Sequence, residues 1–410
     1  MTLSKNFLTS THFLIFVALG MGIAAGLMGG EATHAVCENI STIYINFLKL
    51  VSTPLIFLSI CSTLSGISGF REVRTLGTRV MSYTVVTTLI AAAIGLLLFL
   101  LIHPVLPVGV GNVPESVAIP AQASYQSFLM GLFPSNFVEA FLKNNVIAIM
   151  LIAFLTGFAT LALEGEQRIF LKNLFSSLFD VVIKMTEYIL KFIPLAVFAF
   201  VALFVKDQVE GFELGALGAY FITILSANLI QAAIVLPLLL KLKGYSPLRV
   251  MKGYMPALTL AFFSKSSNAA LPTTLRCAQQ NLGVSKRVSN FSLPLCVTCN
   301  MNACAAFILI TVLFVATSNG MTFSATELLA WIFLATLAAI GNAGVPMGCY
   351  FLATAFLTAL DVPLNIMGLI LPLYAFLDMV ETAVNVWSDG VITVVAEKDL
   401  QSERPVLKAA

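Results

Sequence analysis

Charge is what this sequence has least of. Only 10% of its 410 residues are Asp, Glu, Lys or Arg, against roughly 25% in soluble domains. With 59% hydrophobic residues and a mean hydropathy of +0.96, the polar surface needed to cover so large a core is missing. That excludes a water-soluble fold and leaves the bilayer. An excess of either sign is absent too: 22 basic against 20 acidic residues give +2, which excludes nucleic acid as a partner. Histidine is scarce, with His12, His34 and His103 far apart in sequence. No Walker loop, Ser/His/Asp order or nucleophile–base pair is present, so no enzyme and no organic cofactor are expected. Cys296 and Cys299, with Cys304, have an incomplete zinc spacing and no nearby His. The seven cysteines therefore read as small hydrophobes rather than as a disulfide framework. Linkers, low-complexity tracts and short-period repeats are also lacking. No A-x-A-like cleavage site directly follows the first apolar run, which reads as a retained span.

What is present is a series of long apolar runs. A hydrocarbon core of ~30 Å needs about 20 helical residues, and residues 12–30, 44–68, 80–102, 145–163, 176–203 and 214–240 supply six such segments. Segment 126–144, with Pro134 and Asn136, reads as a broken prelude to the fourth. Beyond 240 the pattern changes. Val288 to Thr326 carries no charge, but Pro294 and TCNMNAC (298–304) interrupt it. Leu328 to Leu360 is also uncharged, with GNAGVP (341–346) at its centre. That stretch is too long for one span and too short for two, so two half-helices returning to one side fit better. Residues 253–275 have the same build around a polar tip, SKSSN (264–268). Either tip alone is also compatible with an ordinary turn between spans.

The expected fold is an all-α membrane protein of eight transmembrane helices plus two re-entrant hairpins, the hairpins suggesting an inverted repeat. Loop charges orient it. Arg71, Arg74 and Arg79, then Lys241, Lys243, Arg249 and Lys252, then Arg276, Lys286 and Arg287, and finally Lys398, Arg404 and Lys408 fall on one side. The alternate loops 31–43 and 103–125 have no Lys or Arg, while loop 164–175 is nearly balanced. Both termini are expected in the cytoplasm, with the chain in the plasma (inner) membrane.

The last span, LDMVETAVNVWSDG, places Asp378, Glu381, Thr382, Asn385 and Asp389 within an arc of roughly 100° on one helix face. Carboxylates facing lipid cost several kcal/mol each, so this face is expected to line a cavity and meet a cation or an ammonium group. Packing against polar neighbours is the plainer alternative. Tip 264–268 offers short donors near a helix start, suited to a carboxylate. Gly341, Gly344 and Pro346 permit an unwound backbone whose carbonyls suit a cation.

These segments resemble the dicarboxylate/amino acid:cation symporter family, with its glutamate-transporter-like fold. SKSSNAALPTT (264–274), TCNMNAC (298–304), GNAGVP (341–346) and DMVETAVNVWSD (378–389) carry the resemblance, which runs over nearly the whole chain. It implies a homotrimeric sodium symporter with elevator-type alternating access. Residues 1–75 and 111–205 would form a scaffold, 76–110 and 206–398 a moving transport domain, and 399–410 a cytoplasmic tail. The implied substrate set is Ser266, Ser267, Asn268, Val345, Asp378 (for the α-ammonium), Glu381, Thr382 and Asn385. Asn300, Asn385 and Asp389 would serve one sodium. Backbone near Thr298, Met301, Ala339, Ile340 and Asn342 would serve a second, and Asn302 with Thr87 and Thr88 a weakened third.

Two departures bear on function. Acidic-substrate members carry Arg where this chain has Glu381, and two like charges ~4 Å apart at an effective dielectric of about 20 repel by roughly 4 kcal/mol. Glutamate, aspartate and dicarboxylates are thus disfavoured. ETAVN (381–385) is similar to the serine/threonine-transporting branch, and an ionised Glu accepts a hydrogen bond from a hydroxyl. Asn302 stands where the motif usually has Asp, so fewer coupled sodium ions are expected. A cationic amino acid, coupling to protons, an anion channel and a non-transporting sensor stay open as alternatives.

Overall fold

The structure is a computed structural model and describes residues 11–66, 76–106, 136–142, 146–208, 214–342 and 347–407. Val345 and the rest of the 343–346 tip, most of the 126–144 prelude, and Arg71 and Arg74 lie outside the described residues. Among those described there are helices and no strands.

The helices, in chain order, are α1 (Thr11–Met28), α2 (Glu31–Gly66), α3 (Thr78–Ile102), α4 (Phe137–Leu142), α5 (Val146–Ala162), α6 (Gly165–Leu190) and α7 (Ile193–Gln208). Then come α8 (Leu214–Ile230), a π-helical turn (Gln231–Val235), α9 (Leu236–Leu242), α10 (Pro247–Ser264) and α11 (Ser267–Arg276). After a second π-helical turn the chain ends in α12 (Lys286–Cys299), α13 (Asn302–Ser318), α14 (Ala325–Gly341), α15 (Gly348–Ala359) and α16 (Asn365–Leu407). Four units among the described residues are long and apolar enough to cross a bilayer: Thr78–Ile102, Gly215–Leu242, Lys286–Ser318 and Asn365–Leu400. The pair α6 and α7, bent by 52° at its break, makes a fifth if read as one span. This is a multi-pass membrane protein.

Two stretches expected as loops are helical. Residues 31–43 form the first turns of α2, and 166–175 lie within α6. Low hydropathy there marks where the chain leaves the apolar layer, not where the helix stops. Glu38, for example, reaches Lys206 of α7 at 3.6 Å.

Local chemistry explains most of the boundaries. Ser324 and Glu327 form a reciprocal capping box at the start of α14. Ser246 precedes Pro247 at the first position of α10, where the missing N–H costs nothing. Between α12 and α13, Asn300 (φ −97°, ψ 72°) and Met301 (φ −107°, ψ 64°) are non-helical, nearly two turns beyond Pro294.

Packing sorts the helices into two groups. In one, α2 lies against α5, α6 and α7, and α7 against α1. In the other, α13 lies against α3, α14 and α15, while α16 lies against α10 and α12. The groups meet where α15 touches α2 and α7 touches α16. Helix α13 is buried at every position from Asn302 to Ala316, as a helix that is apolar all round must be. Among the described residues two large apolar cores and two small ones result, and the large ones frame the site. On α16, residues up to Leu377 belong to one and residues from Val386 onward to the other. On α12 and α13, Cys296 belongs to the second core and Met301 and Cys304 to the first. The polar residues of both units occupy the seam between the cores.

Candidate functional site

A pocket opens at that seam. Lys265, Ser267, Met301, Cys304, Asn342, Cys349, Tyr374, Asp378, Glu381, Thr382 and Asn385 line it. The face of α16 expected from its spacing is thus buried on the inside of the molecule, and Asp378, Glu381, Thr382 and Asn385 all reach the pocket. Tyr374 donates to Asp378 Oδ1 at 3.3 Å, and Thr382 donates to the Asp378 carbonyl at 2.7 Å. Asn385 Oδ1 accepts the backbone N–H of Ala303 at 2.9 Å, tying α16 to the first turn of α13. Glu381 is different. It is 1% exposed, and neither carboxylate oxygen has a hydrogen-bond partner among the described residues.

The tip between α10 and α11 delivers two groups. Lys265 ends α10 in the left-handed conformation (φ 53°, ψ 32°), which reverses the chain and leaves α10 and α11 packed together. Lys265 and the buried Ser267 both line the pocket. Ser266 instead caps α11, its hydroxyl accepting from Ala269 N at 3.2 Å, and Asn268 is exposed. Lys265 is the basic residue that reading α16 alone did not supply. It was legible as the single cation of the SKSSN tip.

The cysteines are a correction. Cys304, at the start of α13, is joined to Cys349, at the start of α15, by a disulfide between residues 45 apart in sequence. Their spacing carried no signal, because the pairing depends on two helix starts meeting at the pocket. Asn342 Nδ2 lies 3.3 Å from the Cys304 sulfur and 3.5 Å from that of Cys349. Asn385 Nδ2 lies 3.6 Å from Cys304 Sγ.

Behind the pocket runs a buried chain of amides. Asn300 Nδ2 donates to Asp389 Oδ1 at 2.8 Å, and Asn302 Nδ2 to Asn300 Oδ1 at 2.7 Å. Asn302 Nδ2 also donates to Ser388 Oγ at 2.7 Å. Gln231 Nε2 donates to Asn302 Oδ1 at 2.8 Å and to the Thr87 carbonyl at 3.1 Å. Gln231 was missed from sequence. Its signal was an amide inside an otherwise apolar span, here in a π-helical turn. Asp389 Oδ2, Asn342 Oδ1 and Gln231 Oε1 are buried without partners among the described residues. The Thr87 and Thr88 hydroxyls donate to α3 carbonyls. Thr298 donates to the Leu295 carbonyl at 2.8 Å. Ala339 is buried and Ile340 half-buried on the last turn of α14.

The sequence model of the sodium:dicarboxylate symporter family matches residues 12–399. Excitatory amino acid transporter 3 of Oryctolagus cuniculus is 28% identical, over 96% of this chain and 87% of its own length. Excitatory amino acid transporter 2 of Mus musculus is 28% identical over 85% of this chain and 70% of its own. Neutral amino acid transporter B(0) of Bos taurus is 26% identical over 93% and 78% respectively.

Proposed function

Because the chain belongs to the sodium:dicarboxylate symporter family, and is a transporter rather than an enzyme, we propose that it carries a small neutral amino acid, serine or threonine first, together with sodium. The observation that carries this reading is the pair of unpartnered, buried Glu381 oxygens at the pocket. A buried carboxylate without partners is costly, and a substrate hydroxyl supplies the missing donor. A substrate carboxylate supplies none and adds repulsion. Asp378 then takes the α-ammonium, a charge-assisted bond worth roughly 1.5–3 kcal/mol. Lys265, Ser267, the backbone at Ser266 and Asn385 receive the α-carboxylate.

Asn300, Asn385 and Asp389 serve one sodium, the free Asp389 oxygen supporting that role. Thr298, Met301, Ala339, Ile340 and Asn342 serve another. Asn302 is neutral where a carboxylate would carry charge, and its own amide is engaged through both nitrogen and oxygen, which supports a weakened third site and fewer coupled ions. In this reading residues 1–75 and 111–205 are scaffold and 76–110 and 206–398 move. Eight spans and two re-entrant hairpins place both termini in the cytoplasm, and three copies assemble.

Two carboxylates in one pocket favour a second reading, a cationic amino acid; the Lys265 ammonium on the same pocket counts against it. Uptake into proteoliposomes under an imposed sodium gradient tests both. Sodium-dependent serine uptake without an aspartate signal is expected. Lysine uptake in preference to serine selects the second reading, aspartate uptake overturns the role given to Glu381, and uptake that persists without sodium overturns the coupling.

A further inference from the structure

Two sulfurs and a carboxylate at the pocket are more than an amino acid requires. The Cys304 and Cys349 sulfurs and a Glu381 oxygen lie within 4.8 Å of one another. All three residues line the pocket and are 3%, 2% and 1% exposed. The Cα atoms of the two cysteines are 5.4 Å apart. Thiol reduction therefore separates the sulfurs by side-chain rotation while both stay at the pocket. Ligands sharing one zinc-class ion stand roughly 3.5–4 Å apart, with sulfur at about 2.3 Å from the metal. A freed pair beside Glu381 meets that spacing.

Two further observations point to a ligand. Glu381 is buried with both oxygens unpartnered. The side-chain amide of Asn342 is aimed at both sulfurs, and that of Asn385 at one; N–H donors of this kind stabilise thiolate sulfur and hold ligands in place.

We propose that, in its dithiol form, the Cys304–Cys349 pair together with Glu381 is a binding site for one thiophilic divalent cation of the zinc class, distinct from the sodium cargo. Two low-molecular-weight thiols, 2 R–SH, reduce the disulfide to two protein thiols and leave as R–S–S–R. The divalent ion then displaces one proton from each thiol and binds both thiolates and the Glu381 carboxylate. Soft thiolates select such an ion over sodium. The ion occupies the end of the pocket where Glu381 otherwise meets substrate, so binding it excludes substrate. The site does not depend on which amino acid is carried.

The test uses the full chain in detergent, reduced, freed of reductant without air, and titrated with Cd2+. One Cd2+ per chain is expected, with ultraviolet thiolate-to-cadmium charge-transfer absorption that the oxidised protein lacks. Cys304→Ser and Cys349→Ser each lower the affinity at least about 100-fold, and Asn342→Ala roughly 10-fold, the range for an outer partner. On the unmodified chain, Cd2+ protects Cys304 and Cys349 from maleimide alkylation, read by peptide mass spectrometry, so the result does not hang on a variant folding. Absence of the absorption in the reduced protein overturns the site. So do an undiminished band in the doubly substituted chain and alkylation indifferent to Cd2+.

Discussion

In the proposed reading selectivity turns on Glu381, the one pocket carboxylate with no hydrogen-bond partner among the described residues. Glu381→Arg reverses its sign at a position buried to 1% exposure, converting a repulsion of roughly 4 kcal/mol for an acidic side chain into an attraction. Competition binding on the purified protein is expected to show serine weakened and aspartate improved, each by at least about tenfold, the equivalent of roughly 1.4 kcal/mol. An unchanged ranking of the two removes Glu381 from the selectivity role. Asn302 makes a second, independent case. Its amide gives two hydrogen bonds and takes one, and an ionised Asp keeps none of the donated pair. Asn302→Asp is therefore expected to lower the melting temperature in sodium-free buffer and to recover it as sodium is added. The sodium dependence of uptake becomes steeper. Equal melting temperatures with and without sodium sink the idea that the amide stands in for an ion.

Much of this site was legible as residue types on a helix face: three acids, a threonine and an asparagine on α16 pointed inward without any contact information. What escaped depends on other elements arriving at the same place. Lys265 reads as one cation in a serine-rich tip until the left-handed turn aims it. Cys304 and Cys349 read as packing until two helix starts converge, and Gln231 reads as an oddity in an apolar run until Asn302 meets it.

Among the elements, α1 and α7 pack most intimately, and two glycines make that possible. A Cβ at Gly22 would stand 2.8 Å from the Phe198 carbonyl oxygen and 2.9 Å from Val201 Cβ. One at Gly26 would stand 2.6 Å from the Ala202 carbonyl oxygen. Glycines four apart on one helix face let two backbones approach in a medium where no hydrophobic force drives helices together. Gly26→Leu is expected to destabilise by roughly 1–3 kcal/mol, the usual cost of overpacking. Thermal unfolding in detergent reads this directly. Gly20→Leu on the same helix, where a Cβ meets nothing within 4 Å, is the control expected to stay near the parent or above it, since Leu is the better helix former; equal losses at the two positions would sink the packing account. Element ends were less legible than element cores. Hydropathy found where chains cross an apolar layer, whereas α2 and α6 run past it with polar faces that a helix tolerates as readily as a loop. The breaks at Asn300–Met301 and Lys265–Ser266 were visible because Pro294 and the polar clusters have no place inside a continuous apolar helix.

At the scale of the molecule, the two helix groups meet along few surfaces, and the pocket belongs wholly to one of them. All eleven lining residues come from α10–α16 and the turns between them. A group that carries the pocket intact is able to move past the other without disassembling it. The contact between α7 and α16 is where this motion is testable. A Cβ at Gly368 on α16 would lie 2.8 Å from Phe200 Cβ on α7, about 1 Å closer than the roughly 3.8 Å between the Cβ atoms of a disulfide, so a small parting of the two helices admits the cross-link. Phe200→Cys with Gly368→Cys, once oxidised, joins the two groups. Gly22→Cys with Val201→Cys joins α1 to α7 inside one group, across a similar 2.9 Å separation. If transport moves one group against the other, oxidation arrests uptake in the first pair, a reductant restores it, and the second pair transports in both states. Full uptake with the first cross-link formed, verified by gel shift after proteolysis, would mean that the groups stay fixed and that access changes within the pocket-bearing group alone.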